Sequence, residues 1–517
     1  MNFRMLENKF FVIYLIPFFL GIITVFSFQP FNLTLINFFS ITSLFLILCY
    51  VNKRIKKKYR KKSFLKNFFF IGYFFGIGFF LSNTYWISNS LSFDANLKIL
   101  IPFTIICLPL VLGIFFGISC FLIGPKVEND LASIILFVII FSLTDFVRSY
   151  IFTGFPWNLW AYSWSWSNEF LQSLNFLGLH GFNLLSITLF SIPAILFKKN
   201  FNYKSQFFLI LLTIFLSIYI YGSFKINSYK NISLTDTKTA NFKIISPGFN
   251  LSYDFSEKNL NQLADKIIRY SNPEKEKKTI FIWPEGVFAG FYFSEIQILK
   301  KKIEKNFSKN HLIIFGVNTK NDTKDKAYNS LVVVNNNFEM IYKYDKKKLV
   351  PFGEFIPFKK VLNKLGLKKI TYGYDSFIQG EGIDNFIYEG INLFPLICYE
   401  VIFSNLVQKT STSTNLIINI SEDAWFGTSI GPAQHFAKAK FRAIENNSYL
   451  LRSANKGYSA IISNTGEVVK SLKPNEIGSI EMKIPLVDRN NKNKNDLIFF
   501  IILITYISTY FILKKLK

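Results

Sequence analysis

Leu393-Phe394-Pro395-Leu396-Ile397-Cys398-Tyr399-Glu400 is a short apolar run that ends in a thiol, a phenol and a carboxyl. A run of this length with a polar boundary reads as a buried strand. Its polar end is where an α/β sheet presents side chains to a cleft. Two other runs have the same form. Ile280-Phe281-Ile282-Trp283-Pro284 ends in Glu285, and Met340-Ile341-Tyr342-Lys343-Tyr344-Asp345 leads into Lys346. Further strand signals lie at residues 242–245, 312–315, 331–334, 416–420 and 459–463, and helix-like stretches at 257–270, 295–305 and 431–446. This alternation predicts an α/β sandwich over about residues 225–495, a length that suits one sizeable globular domain.

Outward from that domain the chain becomes apolar. Seven hydrophobic stretches precede it, at about residues 10–28, 33–51, 67–87, 99–124, 133–147, 171–197 and 207–224, and one follows at 497–513. A stretch of roughly 20 apolar residues spans a bilayer. The organisation expected is a seven-span membrane domain over 1–224, the polar domain over 225–495, and a last transmembrane helix over 496–517. The first stretch has a weak basic start and no small-residue cleavage site, and is read as retained.

Composition supports this. Half of the 517 residues are hydrophobic, 62 are Phe, and only 18% are charged, against about 25% in a soluble protein. Mean hydropathy is +0.28. Disordered, collagen-like and disulfide-scaffold classes are excluded. The net charge of +26 is dispersed or sits in loops beside apolar stretches, so nucleic acid is not the expected partner. Loop charge sets the orientation. The run Lys53-Arg54-Ile55-Lys56-Lys57-Lys58-Tyr59-Arg60-Lys61-Lys62, Lys198-Lys199 and the C-terminal lysines fall on one side of an eight-span protein, and the weakly basic loops 90–98 and 150–168 on the other. Both termini are expected to be cytoplasmic and the polar domain extracytoplasmic.

Cys49, Cys107 and Cys120 lie in apolar runs as small hydrophobic residues, which leaves Cys398 alone in the polar domain and no disulfide within it. His180, His311 and His435 are far apart and not at ligand spacing, so no metal site is expected. A Cys-His dyad would need His311 or His435 brought in by the fold. A carboxylate, an ammonium and a thiol at strand ends form an acyl-transfer set. Glu285 takes the thiol proton, Cys398 attacks a carbonyl, and Lys346 stabilises the oxyanion. Singly each is weak, since a Glu after Trp-Pro is more often a turn residue and a lysine in a run is more often a solvated charge.

The local strings are more specific. Trp283-Pro284-Glu285, then Tyr344-Asp345-Lys346-Lys347-Lys348-Leu349-Val350-Pro351-Phe352-Gly353-Glu354, then Cys398-Tyr399-Glu400 resemble the Glu-Lys-Cys pattern of the nitrilase superfamily. More narrowly, they resemble the apolipoprotein N-acyltransferase family, which embeds such a domain between membrane spans. Asp423-Ala424-Trp425-Phe426-Gly427, Gly431-Pro432-Ala433-Gln434-His435, Arg442-Ala443-Ile444-Glu445 and Arg452-Ser453-Ala454-Asn455-Lys456-Gly457 also match. In the membrane part, so do Thr153-Gly154-Phe155-Pro156-Trp157, Tyr162-Ser163 and Tyr85-Trp86-Ile87.

The resemblance implies a helical bundle of about eight spans carrying an α-β-β-α nitrilase-like sandwich before the last span. It implies Glu285 as general base, Lys346 as oxyanion partner and Cys398 as nucleophile. Glu354 resembles a second carboxylate that supports the lysine, and Tyr399 and Glu400 match positions needed for activity. The Tyr399 N–H is a natural second oxyanion donor.

The implied reaction is ping-pong acyl transfer without cofactor. Its donor is a membrane phospholipid, typically phosphatidylethanolamine, and its acceptor the N-terminal diacylglyceryl-cysteine of an apolipoprotein. A monomer in the bacterial inner membrane with a periplasmic active domain is expected. The rival readings are a membrane-tethered amidase using the same triad and a non-catalytic scaffold. Aromatic residues at 291–293 and 425–426 are candidates for an apolar lid, with core packing as the plainer reading. Glu422 stands where the family usually has Asn, and Asn446-Asn447-Ser448 replaces a typical segment ending in Arg-Pro. Ser246-Pro247-Gly248-Phe249-Asn250 is a degraded form of a family stretch that leads to a functional Trp, in whose place Phe255 stands.

Overall fold

The computed structural model describes residues 8–57, 65–198, 204–230, 238–251, 254–321, 326–357, 377–382, 384–407, 414–487 and 495–516. Lys58 to Lys62 of the basic loop, Lys199 and Lys517 lie outside them. The chain divides into two compact units, one of residues 1–88, 100–227 and 493–517 and the other of residues 89–99 and 228–492.

The first unit is helical. Among the described residues, four helical stretches of at least 20 residues within it (Leu35–Ile55, Leu131–Tyr150, Leu174–Phe197 and Asp496–Lys515) are long and apolar enough to cross a bilayer, as are Leu65–Phe93 and Lys98–Lys126, whose final and first residues respectively belong to the second unit. Phe11–Ser27 is a shorter apolar helix, and Lys204–Lys230 is a further helix of 27 residues. Lipid is as apolar as leucine, so helices here associate by close packing rather than by leaving water. Glycine supplies it. A Cβ at Gly78 would lie 2.0 Å from the Phe18 carbonyl oxygen, and one at Gly21 would lie 2.1 Å from that of Phe75. Gly72 meets Phe116 in the same way at 2.2 Å. One buried polar group of the bundle is paired around Asp145. Asp145 binds Arg148 at 2.9 Å and accepts from Asn183 at 3.0 Å, and Arg148 also donates to the Phe155 carbonyl at 2.5 Å.

The second unit holds two six-stranded sheets. One has the order β12-β1-β2-β3-β4-β5 and the other β11-β10-β9-β8-β7-β6. Its strands are β1 (Thr239–Ser246), β2 (Thr279–Ile282), β3 (His311–Asn321), β4 (Lys326–Val334), β5 (Met340–Asp345), β6 (Phe386–Tyr388), β7 (Ile391–Ile397), β8 (Leu416–Glu422), β9 (Tyr449–Asn455), β10 (Ser459–Ile462), β11 (Val468–Leu472) and β12 (Gly478–Pro485). β1, β2 and β3 run parallel, as do β7, β8 and β9, and antiparallel strands complete both sheets.

The strand period of two sorts the core. Ile280 and Ile282 of β2, with Ile314, Val333, Leu393, Ile418, Ile420 and Leu451, form the cluster shared by the two sheets. Phe281 and Trp283 turn the other way and pack with Leu260, Ala264, Ile267 and Ile303 of the helices Glu257–Ser271 and Lys300–Asn306. The helix Gly431–Glu445 packs against β9 and is almost wholly buried. The layers are α-β-β-α. Phe291 belongs to the outer cluster and Phe293 packs against it, whereas Trp425 and Phe426 are half-buried.

Candidate active site

Four strands end at one place. β2 runs out through Trp283-Pro284 to Glu285, β5 to Lys346, β7 to Cys398 and β8 to Glu422-Asp423. The parallel strands deliver their carboxyl ends to the same edge, where a sheet of this class opens its cleft. Gly316 of β3 allows the base to come close, since a Cβ there would lie 2.9 Å from the Glu285 Cα.

The Lys346 ammonium is buried between two carboxylates, 3.3 Å from Glu285 Oε1 and 2.9 Å from Glu354 Oε1. Asn329 Nδ2 donates to the same two oxygens, at 2.8 and 2.7 Å. The remaining oxygens accept backbone N–H groups, Glu285 Oε2 from Glu422 at 3.0 Å and Glu354 Oε2 from Val350 at 2.8 Å. Burial works against the charge on Lys346, but Glu285, Glu354 and Cys398 outweigh it and hold the amine well above its ordinary value. It is an ammonium at every physiological pH.

Cys398 follows β7 in a left-handed conformation, φ +48°. For a residue with a side chain this costs about 1–3 kcal/mol. Burial pushes its thiol well above the ordinary range, as do Glu285 and Asp423, while Lys346 and Ser421 pull it down. The resting site is therefore a thiol beside an ammonium–carboxylate cluster.

Glu400, fully buried, braces the turn. Its Oε1 accepts from the Tyr344 hydroxyl at 3.0 Å and from the Lys347 and Lys348 N–H groups at 2.6 and 3.1 Å, and its Oε2 from the Ile397 N–H at 2.8 Å. It ties the segment after Lys346 to the residue before Cys398. Burial pushes it up to about 7, against the pull of the Ile397 N–H, the Lys346 charge and the other two N–H groups. Tyr399 is buried, with its ring edge-on to Phe403 at 5.2 Å.

The structure thus brings Glu285, Lys346, Glu354, Cys398 and Glu400 to one cluster, with Tyr399 beside it. It adds Asn329, which the sequence shows only as a polar residue at the start of a Val-rich run. It also places His435 Nε2 3.2 Å from the Cys398 carbonyl, on the backbone of the nucleophile. His311 lies elsewhere, bonded to the Ser308 N–H and the Glu274 and Lys277 carbonyls. Glu422 is buried against Asn455 at 2.9 Å and the Ala424 N–H at 3.1 Å. Phe255 is half-exposed, with its ring edge-on to Phe291 at 6.0 Å. Among the described residues no group of His, Cys, Asp and Glu side chains could hold a metal ion.

Comparison with known proteins agrees with this architecture. Residues 20–192 match the family model for the apolipoprotein N-acyltransferase N-terminal domain, and residues 260–491 that for carbon-nitrogen hydrolase. An apolipoprotein N-acyltransferase of Rickettsia typhi is 32% identical over 391 residues, which cover 74% of this chain and 76% of that protein. One of Rickettsia bellii is 32% identical over 431 residues, covering 80% and 83%. A solved nitrilase-superfamily protein of Saccharomyces cerevisiae superposes with a TM-score of 0.37 at 16% identity, covering 49% of this chain and 92% of that one. By both family models and by identity over most of its length, the chain belongs to the apolipoprotein N-acyltransferase family.

Proposed function

We propose that this membrane acyltransferase moves an acyl chain from a phospholipid to the N-terminal diacylglyceryl-cysteine of apolipoproteins through a thioester on Cys398. The observation that carries the reading is the buried Glu285–Lys346–Glu354 cluster beside a thiol held at a strained turn. Glu285 removes the thiol proton as sulfur attacks the sn-1 ester carbonyl. The oxyanion meets the Lys346 ammonium and the Tyr399 N–H. The C–O bond then breaks, the lysophospholipid oxygen takes the proton from Glu285, and the acyl group remains on sulfur. In the second half the acceptor amine attacks the thioester, loses its proton to Glu285, and the C–S bond breaks to restore the thiol.

Glu354 and Asn329 hold Lys346 and Glu285 in register, so the ammonium is in place before charge develops. Phosphatidylethanolamine is the proposed donor. The domain of residues 228–492 is proposed to be periplasmic, with both termini cytoplasmic and the protein in the inner membrane. Both substrates are lipid-anchored and would then reach the site by lateral diffusion.

The test is acyl-enzyme trapping. Purified protein incubated with phosphatidylethanolamine labelled in its sn-1 chain should acquire hydroxylamine-sensitive label. Cys398→Ala should abolish it and Cys107→Ala should leave it intact. No label on folded wild-type protein would refute the thioester.

A further inference from the structure

We propose that His435 is a positioning residue for the nucleophile turn: its Nε2–H, aimed by Arg452 and Asp423, holds the Cys398 carbonyl and so fixes the direction of the Tyr399 N–H. The proposal rests on the thioester reading above.

Cys398 occupies a backbone region that side-chain-bearing residues avoid, and such a turn persists only where its surroundings over-determine it. Two anchors are visible. Glu400 Oε2 takes the N–H on the upstream side, at Ile397, 2.8 Å away. On the downstream side, the imidazole of fully buried His435 takes the carbonyl of Cys398 itself, at 3.2 Å. A trans peptide is planar, with its C=O and N–H pointing in opposite directions. Pinning the Cys398 carbonyl toward His435 therefore turns the Tyr399 N–H of the same peptide away from it. The hydrogen bond that anchors the strained turn downstream thus also sets the aim of an oxyanion donor.

The hydrogen on Nε2 follows from its partner. A carbonyl can only accept, so Nε2 carries the hydrogen. Nδ1 lies 3.0 Å from both Asp423 Oδ1, which can only accept, and Arg452 Nη2, which can only donate. Arg452 is itself fixed by both oxygens of Asp423, at 3.0 and 2.8 Å, and donates to Asn419. Ser421 Oγ donates to Asp423 at 2.7 Å, and Asn419 Nδ2 donates to the Leu396 carbonyl in β7 at 3.1 Å. Burial, then Arg452, pulls the imidazole down to about 4 against the attraction of Asp423. An imidazole whose Nε2–H meets the nucleophile's backbone, and not its sulfur, suits a donor and not a base.

The test compares His435→Leu, His435→Gln and His435→Asn in protein whose Cys49, Cys107 and Cys120 are replaced by Ala. The glutamine amide nitrogen reaches the Nε2 position, whereas that of asparagine stops at Nδ1. Two rates are read: acylation from sn-1-labelled phosphatidylethanolamine, and alkylation of Cys398 by iodoacetamide, which forms no oxyanion. With an oxyanion donor misaimed, acylation should fall about 10²-fold in the Leu and Asn variants. The KM for donor and the alkylation rate should stay within about threefold of wild type, and Gln should restore most of the acylation.

Equal acylation in Leu and wild type would overturn the role, as would acylation and alkylation falling together. If the Leu variant does not fold, the Gln–Asn pair decides, and equal rates in those two would overturn it. No label on wild-type protein would instead overturn the thioester, and this role with it.

Discussion

Among the described residues, Glu400 is a carboxyl that accepts hydrogen bonds from groups on the two segments it joins. Its elevation from 4.5 to about 7 makes it a pH-dependent element of stability. The folded chain keeps the proton on Glu400 up to about pH 7, while the unfolded chain releases it near 4.5, so folding takes up a proton between these values. The group's favourable contribution is whole below about pH 4.5 and is lost as pH rises through 7. It amounts to about 3 kcal/mol, or roughly 5–10 °C in Tm for a domain of this size. Glu400→Gln lacks this slope, so the Tm difference, wild type minus variant, should fall by that amount between pH 4.5 and 7.5. A constant difference would show that the carboxyl stays ionised throughout.

At the level of elements, the sandwich and the bundle are built by opposite rules. In the sandwich, alternation along a strand separates Ile280 and Ile282 from Phe281 and Trp283, and both sets leave water. In the bundle there is no such driving force, and contact depends on how near two backbones can come. The Ile16–Ile23 and Leu65–Thr84 helices meet where Gly21 faces Phe75 and Gly78 faces Phe18. The opposing atoms are backbone carbonyls, which cannot swing aside as a side chain can. Gly78→Val should therefore cost more than the 1–3 kcal/mol typical of overpacking. It would be read as a loss of monodisperse, folded protein in detergent. A variant with wild-type yield and Tm would show that the helices slide apart at no cost.

At the scale of the whole molecule, the charge of the loops and the proposed chemistry make one joint demand: the domain with Cys398 should face away from the cytoplasm. In protein whose Cys49, Cys107 and Cys120 are replaced, a cysteine introduced for exposed Lys473 should react with an impermeant maleimide added outside intact inner membranes. One introduced for exposed Arg54 should react only after the membrane is opened. The reverse pattern would place the active site on the wrong side for a lipoprotein acceptor.

The sequence by itself determined what depends on neighbours along the chain. Hydropathy located the long apolar helices of the bundle, because crossing a bilayer is a local requirement. Short apolar runs located β1, β2, β3, β4, β7, β8 and β10, because burial on both faces leaves a continuous hydrophobic string, and the run Met340–Asp345 located β5. The strings around Glu285, Lys346 and Cys398 were legible because each closes such a run, and a strand end is a local event. β6, β9, β11 and β12 were not singled out. β6 is three residues long, while β9 carries Arg452 and Ser453 within its apolar run, and β11 and β12 are largely half-buried or exposed, so none is a clean string.

Only the tertiary structure decided who meets whom. Asn329 between Glu285 and Glu354, the four bonds into Glu400, and His435 on the Cys398 carbonyl join residues up to 56 positions apart. No spacing along the chain encodes such contacts. They exist because two sheets, folded face to face, deliver the ends of their strands to a single edge.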